Sequence, residues 1–118
     1  MEKKMSDTIF TKIINREIPA QIVFENDEII AINDINPQAP VHILIIPKKV
    51  IPTINDLMPE DAELIGKMFL VAKQIAKEKG IDQQGYRLVF NVNEGAGQTV
   101  FHIHLHLMGG RKFNWPAG

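Results

Sequence analysis

Apolar residues recur at helical spacing in two parts of the chain and predict one short and one long helix. The first helix is expected over residues 8–17, with the side chain of Asp7 as its N-terminal cap. The second is expected over residues 59–79, because Pro59 suits the first helical position and Gly80 suits the end of a helix. The apolar stripe of this longer helix consists of Leu64, Met68, Val71 and Ile75.

Short runs rich in β-branched and other apolar residues predict five strands. The runs cover residues 21–25, 28–33, 41–47, 86–92 and 99–108. The third run is almost continuously apolar and is expected to be buried on both faces, with only His42 interrupting it. Helices are too few for a doubly wound parallel sheet, so the order of elements predicts an α+β fold with a five-stranded antiparallel meander. No repeat or linker divides the chain, and residues 1–118 are interpreted as one domain.

Composition and charge narrow the classes of function. Of the 118 residues, 45% are hydrophobic, and the 13 basic and 14 acidic residues leave a formal charge of −1. Long nucleic acids are bound largely through Lys and Arg side chains, so this balance argues against a nucleic-acid partner. The absence of cysteine excludes disulfides, thiolate catalysis and cysteine-based metal sites. No apolar stretch is long enough for a signal peptide or a membrane span, so we expect a cytoplasmic protein, without a membrane partner, that acts on a small substrate.

Three of the four histidines alternate along the last predicted strand. Side chains of a strand point to alternate faces, so His102, His104 and His106 are expected to share one face, with their rings about 6.6 Å apart. The apolar residues that are expected to anchor the opposite face in the core are Phe101, Ile103, Leu105 and Leu107. The sequence therefore predicts a rigid row of imidazoles on a partly buried strand.

Three interpretations of this histidine row compete. In the first, the imidazoles are only the polar side of a half-exposed strand, although imidazole has no strand-forming advantage over Thr or Val. In the second, they bind zinc, but the outer rings start about 13 Å apart at the rise of a strand, and no Asp or Glu follows Glu94 to complete the ligand set. In the third, a neutral imidazole attacks phosphorus, while its neighbours orient it, bind phosphate oxygens and protonate the leaving group.

The loop of residues 93–98, directly before the row, favours the third interpretation. Gly95 and Gly97 are expected to leave backbone N–H groups accessible to phosphate oxygens, and Gln98 and Thr99 add polar side chains. Asn93 is expected to tolerate a positive φ if the loop requires one. These residues favour attack on the phosphorus of a small nucleotide over zinc binding or a plain strand surface.

The segment Gly97–Met108 resembles the signature of the histidine triad (HIT) family, His-x-His-x-His followed by two apolar residues. The segments that resemble the Hint branch of this family, the histidine triad nucleotide-binding proteins, are 7–14, 34–42, 46–49, 109–111 and 115–116. The resemblance covers residues 7–118. It implies a HIT-like fold whose five-stranded sheet continues across a homodimer, with residues 1–6 as a disordered extension and 109–118 as a tail near the dimer interface.

The activity that this resemblance implies is hydrolysis of purine nucleoside 5′-phosphoramidates, and of aminoacyl-adenylate-like substrates, to the nucleoside monophosphate. The reaction would pass through a covalent nucleotidyl-histidine intermediate, without a cofactor or a metal. A dinucleoside polyphosphate hydrolase of a sister branch and a nucleotide-binding scaffold with vestigial activity are the alternatives. By position in the motif, His104 would be the nucleophile, and His106 would contact the phosphate and assist the leaving group. His102 and His42 would support these rings through hydrogen bonds.

The resemblance also implies a set of substrate-binding residues. Asp34 would accept the ribose hydroxyls, and Asn91 would lie on the phosphate and ribose side. The residues of the glycine loop that would contact the phosphate are Gly97, Gln98 and Thr99. An apolar base pocket would consist of Ile9, Phe10, Ile13, Ile32 and Ile35, whose alternative role is plain core packing. Trp115 would reach the active site of the partner subunit, or else only pack in the dimer.

Overall fold

The computed structural model of this chain describes residues 7–118, and the predicted disorder of residues 1–6 lies outside the described residues. The helices and strands, in chain order, are α1 (Ile9–Ile14), β1 (Ile22–Glu25), β2 (Ile29–Asn33), β3 (Val41–Pro47), α2 (Ala62–Glu78), β4 (Tyr86–Val89) and β5 (Leu105–Gly109). Two helices and five strands are confirmed, and β3 has its predicted bounds, whereas the other strands are shorter than predicted. Within the described residues, no helix combines the length and the apolar character that crossing a membrane requires.

The five strands form one antiparallel sheet in the order β1-β2-β3-β5-β4. The predicted meander is correct for the first three strands and wrong for the last two, because β5 lies between β3 and β4. β3 is buried along nearly its whole length, so it needs a paired, apolar neighbour on each side. β5 supplies one with Leu105 and Leu107 almost fully buried, whereas β4, which is only half-buried, takes the edge of the sheet.

Alternate residues of β2 and β3 point to two hydrophobic clusters on opposite faces of the sheet. The cluster on the α2 face includes Ile29, Ala31, Ile43, Ile45, Leu105 and Leu107. The cluster on the α1 face consists of Phe10, Ile13, Ile30, Ile32, Leu44 and Ile46. Both faces of β3 are therefore buried, as the sequence predicted, and a helix covers the sheet on each side.

The ends of α1 are set by local hydrogen bonds. The predicted cap Asp7 is wrong by one position, because Thr8 is the N-cap: its hydroxyl accepts two backbone N–H groups of the first turn, and the Thr11 hydroxyl accepts the Thr8 N–H. The helix ends at Ile14, earlier than predicted, because Arg16 adopts a left-handed φ of 63° and closes the last turn.

The long helix α2 departs from its prediction at the start. Pro59–Asp61 form a 3₁₀ turn, and the α-helix runs from Ala62 to Glu78. Gly80 has a φ of 73°, as expected for a residue just past the C-terminal end. The predicted stripe is confirmed, with Met68, Val71 and Ile75 buried and Leu64 packed against them.

β5 begins at Leu105, so the segment 99–104 lies outside the paired strand. The chain bends at residues 100–102, and the N–H of Ile103 donates to the carbonyl of Ile51. Phe101 is 43% exposed, so its predicted place in the core is wrong. Ile103, Leu105 and Leu107 are buried as predicted.

Candidate active site

The histidines gather on the face of the sheet that α1 covers. β3 and β5 pair so that His42 lies opposite Met108 and Leu44 lies opposite His106, which makes the two histidines diagonal neighbours on one face. Nε2 of His42 and Nδ1 of His106 are 2.9 Å apart. The ring centroids of His104 and His106 are 5.0 Å apart. Three imidazoles thus form one contiguous group, more closely spaced than the rise of a regular strand predicted.

A single backbone N–H determines where the protons lie on two of these rings. The N–H of Gln38 donates to Nδ1 of His42 at 3.0 Å, so Nδ1 is an acceptor and the proton of the neutral ring lies on Nε2. That Nε2–H donates to Nδ1 of His106, and the proton of neutral His106 therefore lies on its own Nε2. His106 consequently presents an N–H donor on the side of its ring away from His42.

His104 has the opposite arrangement of donor and acceptor. Its Nδ1 lies 2.8 Å from the main-chain carbonyl oxygen of His102, and a carbonyl can only accept, so the proton lies on Nδ1. Nε2 therefore carries a free lone pair. The ring of Phe10 packs edge-on against the imidazole, with centroids 4.9 Å apart, and restricts its orientation. The ring that carries this lone pair thus neighbours the ring of His106, which carries the N–H donor.

His102 supports His104 through its main chain. Its imidazole is completely buried, and its Nε2–H donates to the carbonyl of Pro47 at 2.6 Å. Its Nδ1 has no hydrogen-bond partner within residues 7–118. Anchoring the ring to the end of β3 fixes the backbone of His102, and with it the carbonyl that orients His104.

Burial lowers the pKa of all four imidazoles below the ordinary value, because the low-dielectric surroundings disfavour the charged ring. For His106, burial is the largest cause, the neighbouring His104 and His42 lower the pKa further, and the Asp34 carboxylate opposes them, with the result that the pKa falls to about 4. For His102 and His104, hydrogen bonds to backbone carbonyls oppose the effect of burial. All four rings are therefore neutral near physiological pH, the form that a nucleophile requires.

Asp34, in the loop between β2 and β3, directs its carboxylate at the histidine group. Its Oδ2 lies 3.4 Å from Nε2 of His42, while its Oδ1 accepts the N–H of Asn36 at 2.8 Å. Asp34, His42 and His106 each offer one ligand atom, and these atoms lie within 4.8 Å of one another, a spacing that could hold a metal ion. The sequence offers no carboxylate ligand after Glu94, but strand pairing brings in Asp34, which is distant in sequence.

The glycine loop is a tight turn rather than an open cradle. Residues Glu94–Ala96 form a 3₁₀ turn, flanked by Asn93 with a φ of 67° and Gly97 with a φ of 93°. The loop does require a positive φ at Asn93, which this residue was expected to tolerate. The N–H of Gly97 donates to the carbonyl of Glu94, so the predicted accessibility of that N–H is wrong.

Gln98 holds this turn from the inside. Its side chain is buried, its Oε1 accepts the N–H of Asn93, and its Nε2 donates to the carbonyls of Pro52 and Val100. These three hydrogen bonds occupy its amide group and tie the turn to the segment before the histidines. The role of Gln98 in contacting phosphate stays a prediction, and its structural role is to shape the loop.

The five residues predicted as a base pocket divide into two groups. Phe10, Ile13 and Ile32 are buried in the α1-face cluster, whereas Ile9 and Ile35 are 46% and 95% exposed. An open cavity of about 550 Å³ is lined by Pro19, Ala20, Gln21, Asn33, Asp34 and Ile35. The cavity therefore adjoins both the carboxylate of the site and the most exposed apolar side chain of the predicted pocket.

The other predicted ligands lie around these groups. Thr99 is exposed at the end of the glycine loop, Asn91 is half-buried just beyond β4, and Trp115 is 84% exposed in the C-terminal tail. Their contacts with substrate stay predictions. Sequence reasoning missed Gln38 and Pro47, which act through a backbone N–H and a backbone carbonyl. No signal in the sequence points to them, because every residue except proline carries both groups.

Comparisons with known proteins agree with this geometry. Residues 7–114 match the family described as "Scavenger mRNA decapping enzyme C-term binding". A HIT-like protein of Synechocystis is 56% identical over 112 residues, which are 95% of this chain and 97% of that protein. The purine nucleoside phosphoramidase of Escherichia coli is 54% identical over 105 residues, which are 89% of this chain and 88% of that enzyme. The crystal structure of a HIT family hydrolase from Legionella pneumophila, 55% identical, superposes with a TM-score of 0.93 over 95% of this chain and 100% of that chain.

Proposed function

The chain belongs to the histidine triad family, and we propose that it hydrolyses purine nucleoside 5′-phosphoramidates to the nucleoside monophosphate. The observation that carries this proposal is the pairing of two ring nitrogens: Nε2 of His104 has a free lone pair, and Nε2 of the adjacent His106 holds a proton. Cleavage of a phosphorus–nitrogen bond needs both groups, because an amine leaves readily only when its nitrogen gains a proton.

In the first step, Nε2 of His104 attacks the phosphorus and forms a nucleotidyl-histidine, while the bond to the leaving nitrogen breaks. That nitrogen takes the proton from Nε2 of His106. The positive charge that forms on His104 is stabilised because its Nδ1–H already donates to the carbonyl of His102. The negative charge left on His106 is offset by that cation, with ring centroids 5.0 Å apart, and by the N–H that His42 donates.

In the second step, water attacks the same phosphorus and the bond to His104 breaks. Nε2 of His106, left with a lone pair, takes the proton of the attacking water. Both rings return to the protonation states of the resting enzyme, and the nucleoside monophosphate leaves. No cofactor is needed in this scheme, and all proton transfers pass through one nitrogen atom.

We assign the ribose and the base to the surface beside Asp34. Its carboxylate faces the histidines and also lines the open cavity of about 550 Å³, so a nucleotide with its phosphorus at His104 would place its ribose at Asp34 and its purine in that cavity. Ile35, which lines this cavity, offers exposed apolar surface to the purine, whereas a contact with Ile9 stays a prediction. On the other side of the phosphorus, Thr99 and Asn91 would contact the phosphate oxygens.

Hydrolysis rates of a nucleoside phosphoramidate and a diadenosine polyphosphate, measured on one preparation, distinguish a phosphoramidase from a dinucleoside polyphosphate hydrolase. We expect kcat/KM to be higher for the phosphoramidate by about 100-fold. The Asp34 carboxylate lies 3.4 Å from Nε2 of His42 and would repel the negative charge of a polyphosphate leaving group more strongly than it would affect an amine.

Equal or faster turnover of the polyphosphate would contradict this specificity, and tight nucleotide binding with no turnover of either substrate would support the scaffold alternative. The same assay with a chelator tests the expectation that the site works without a metal. Activity that disappears with the chelator and returns with zinc would show that the cluster of Asp34, His42 and His106 is a metal centre.

We also propose that the protein is a homodimer in which the sheet continues across the subunit interface, as the family resemblance implies. Within residues 7–118, β4 pairs only with β5 and leaves its outer edge open. On the same side of the molecule, Phe69 and Leu70 of α2 are 41% and 64% exposed, and Phe69 packs against Phe90 at the end of β4. An apolar surface beside an open strand edge is suited to a symmetric contact.

Leu70→Glu should convert the dimer to a monomer, because two copies of the carboxylate would lose water at the interface. Sedimentation should show a mass near twice 13.3 kDa for the native protein and near 13.3 kDa for the variant. Ile22→Glu is the matched control, since Ile22 is 42% exposed on β1 at the opposite edge and should leave the dimer intact. A native protein that sediments as a monomer, or dissociation only by Ile22→Glu, would contradict the proposed interface.

The cytoplasmic location of the protein stays a prediction.

A further inference from the structure

The C-terminal tail contacts the loop between β2 and β3 that faces the histidines. Gly110 passes directly over Pro40 with a φ of 89°, and a Cβ atom at this glycine would lie 2.9 Å from the Cβ of the proline. The next residue, Arg111, donates its Nε–H to the carbonyl of Gln38 at 2.9 Å. Two successive residues of the tail therefore hold the end of the loop that leads into His42.

The guanidinium of Arg111 is itself fixed by stacking. It lies over the ring of Phe113 at 4.1 Å from the centroid, and Arg87 of β4 contacts the same ring at 4.9 Å. Arg87 also donates to the carbonyl of Asn114 at 2.9 Å, which folds the tail back onto the sheet. A planar guanidinium held in this way loses little further freedom when its Nε–H binds a carbonyl.

Gln38 links this tail to the active site through its own two backbone groups. Its carbonyl accepts the hydrogen bond from Arg111, and its N–H donates to Nδ1 of His42. From His42 the chain of hydrogen bonds continues to Nδ1 of His106. The Gln38 side chain is exposed, and within residues 7–118 it donates only to the neighbouring carbonyl of Asn36, so the hydrogen bond from Arg111 connects Gln38 to the tail.

We propose that Arg111 is a positioning residue that holds Gln38 in place and thereby keeps the proton of His106 on Nε2, where the leaving group needs it. The proposal rests on the proposed function of His106 as proton donor. Residues 35–38 are all exposed, so without Arg111 the loop can move and its N–H can leave Nδ1 of His42. A fraction of the His42 rings then carries the proton on Nδ1, although the Asp34 carboxylate 3.4 Å from Nε2 favours the other tautomer, and in that fraction Nε2 becomes an acceptor. His106 must in turn donate from Nδ1, and its Nε2 loses the proton that the reaction uses.

The test is Arg111→Ala, with Lys112→Ala as the matched control, because Lys112 is the adjacent exposed cation and contributes only its carbonyl to these contacts. Nitrogen NMR of histidine-labelled, substrate-free protein reports which ring nitrogen of His42 carries the proton. We expect Nε2–H in the native protein and in Lys112→Ala, and a mixture of both tautomers in Arg111→Ala.

The kinetic readout compares two leaving groups on the same nucleotide. For an alkylamine phosphoramidate, which needs the proton, Arg111→Ala should lower kcat by about tenfold. For a nitrophenyl ester, whose leaving group departs as an anion, kcat should remain almost unchanged. Arg111→Lys keeps the charge but lacks the flat, stacked Nε–H donor, so it should resemble Arg111→Ala.

Three results would overturn the proposal: unchanged His42 tautomers in Arg111→Ala, an equal loss of kcat with both leaving groups, or full activity of Arg111→Lys. The last would mean that charge rather than positioning is needed. Because the NMR experiment uses the resting protein, it gives its answer whether or not phosphoramidates are substrates. Failure of the native protein to cleave any phosphoramidate would contradict the proposed function, and tautomers that Arg111→Ala leaves unchanged would contradict this inference.

Discussion

Replacing His104 with alanine should reduce the turnover of a nucleoside phosphoramidate by about 10⁴-fold or more. His104 is the only histidine of the group whose Nε2 carries a free lone pair, because its Nδ1–H donates to the carbonyl of His102. His106 holds a proton on Nε2 and accepts from His42 on Nδ1, so neither of its nitrogens can replace the nucleophile. Release of nucleoside monophosphate from a fluorogenic phosphoramidate measures the loss.

Nucleotide binding and the covalent intermediate are the controls for this prediction. His104→Ala should still bind the nucleoside monophosphate, since Asp34 and the cavity beside it remain unchanged. Rapid quenching of the native enzyme should trap the nucleotide on the peptide that contains His104, and mass spectrometry should find no such adduct in the variant. Activity within a few-fold of the native enzyme, or an adduct on another histidine, would show that His104 is not the nucleophile.

Much of the fold could be predicted from the sequence because its signals are local. The continuous apolar run of β3 indicates a strand buried on both faces, and Gly80 marks the end of α2 by its left-handed φ. The position of β5 could not be predicted in the same way. Its place between β3 and β4 depends on which neighbour best covers β3, and that choice is made by packing of the whole sheet.

In the candidate site, too, local features could be predicted from the sequence, whereas features that depend on distant parts of the chain could not. Alternation of the histidines correctly predicted that His104 and His106 lie next to each other opposite buried Ile103 and Leu105. Their distinct chemistry could not be predicted from spacing, which makes the imidazoles equivalent. The difference arises from backbone groups, namely the N–H of Gln38 and the carbonyl of His102, and backbone groups have no signature in residue type.

His106→Ala should slow the first step, formation of the nucleotidyl-histidine in a single turnover, by about 10³-fold for an alkylamine phosphoramidate and by far less for a nitrophenyl ester of the same nucleotide. The alanine removes the Nε2–H that protonates the departing amine but leaves the lone pair of His104 in place. An amine expelled without a proton is a very poor leaving group, whereas nitrophenolate departs as a stable anion. The loss should therefore depend on the leaving group, in the same sense as for Arg111→Ala but with a larger magnitude, because the variant removes the donor rather than shifting its proton.

Formation and breakdown of the intermediate separate this role from a simple loss of packing. With the nitrophenyl ester, nitrophenolate leaves as an anion and the proton stays on His106, so water attacks the intermediate without a base in the native enzyme as well as in the variant. His106→Ala should therefore accumulate the nucleotidyl-histidine and give a burst of nitrophenolate at nearly the native rate. His106→Gln is the matched variant, since it fills the space of the ring and retains an N–H donor that cannot transfer its proton. It should show the same burst. Equal losses with both leaving groups and no burst in either variant would mean that His106 only fills space or binds the phosphate, and the proton would have to reach the leaving group by another route.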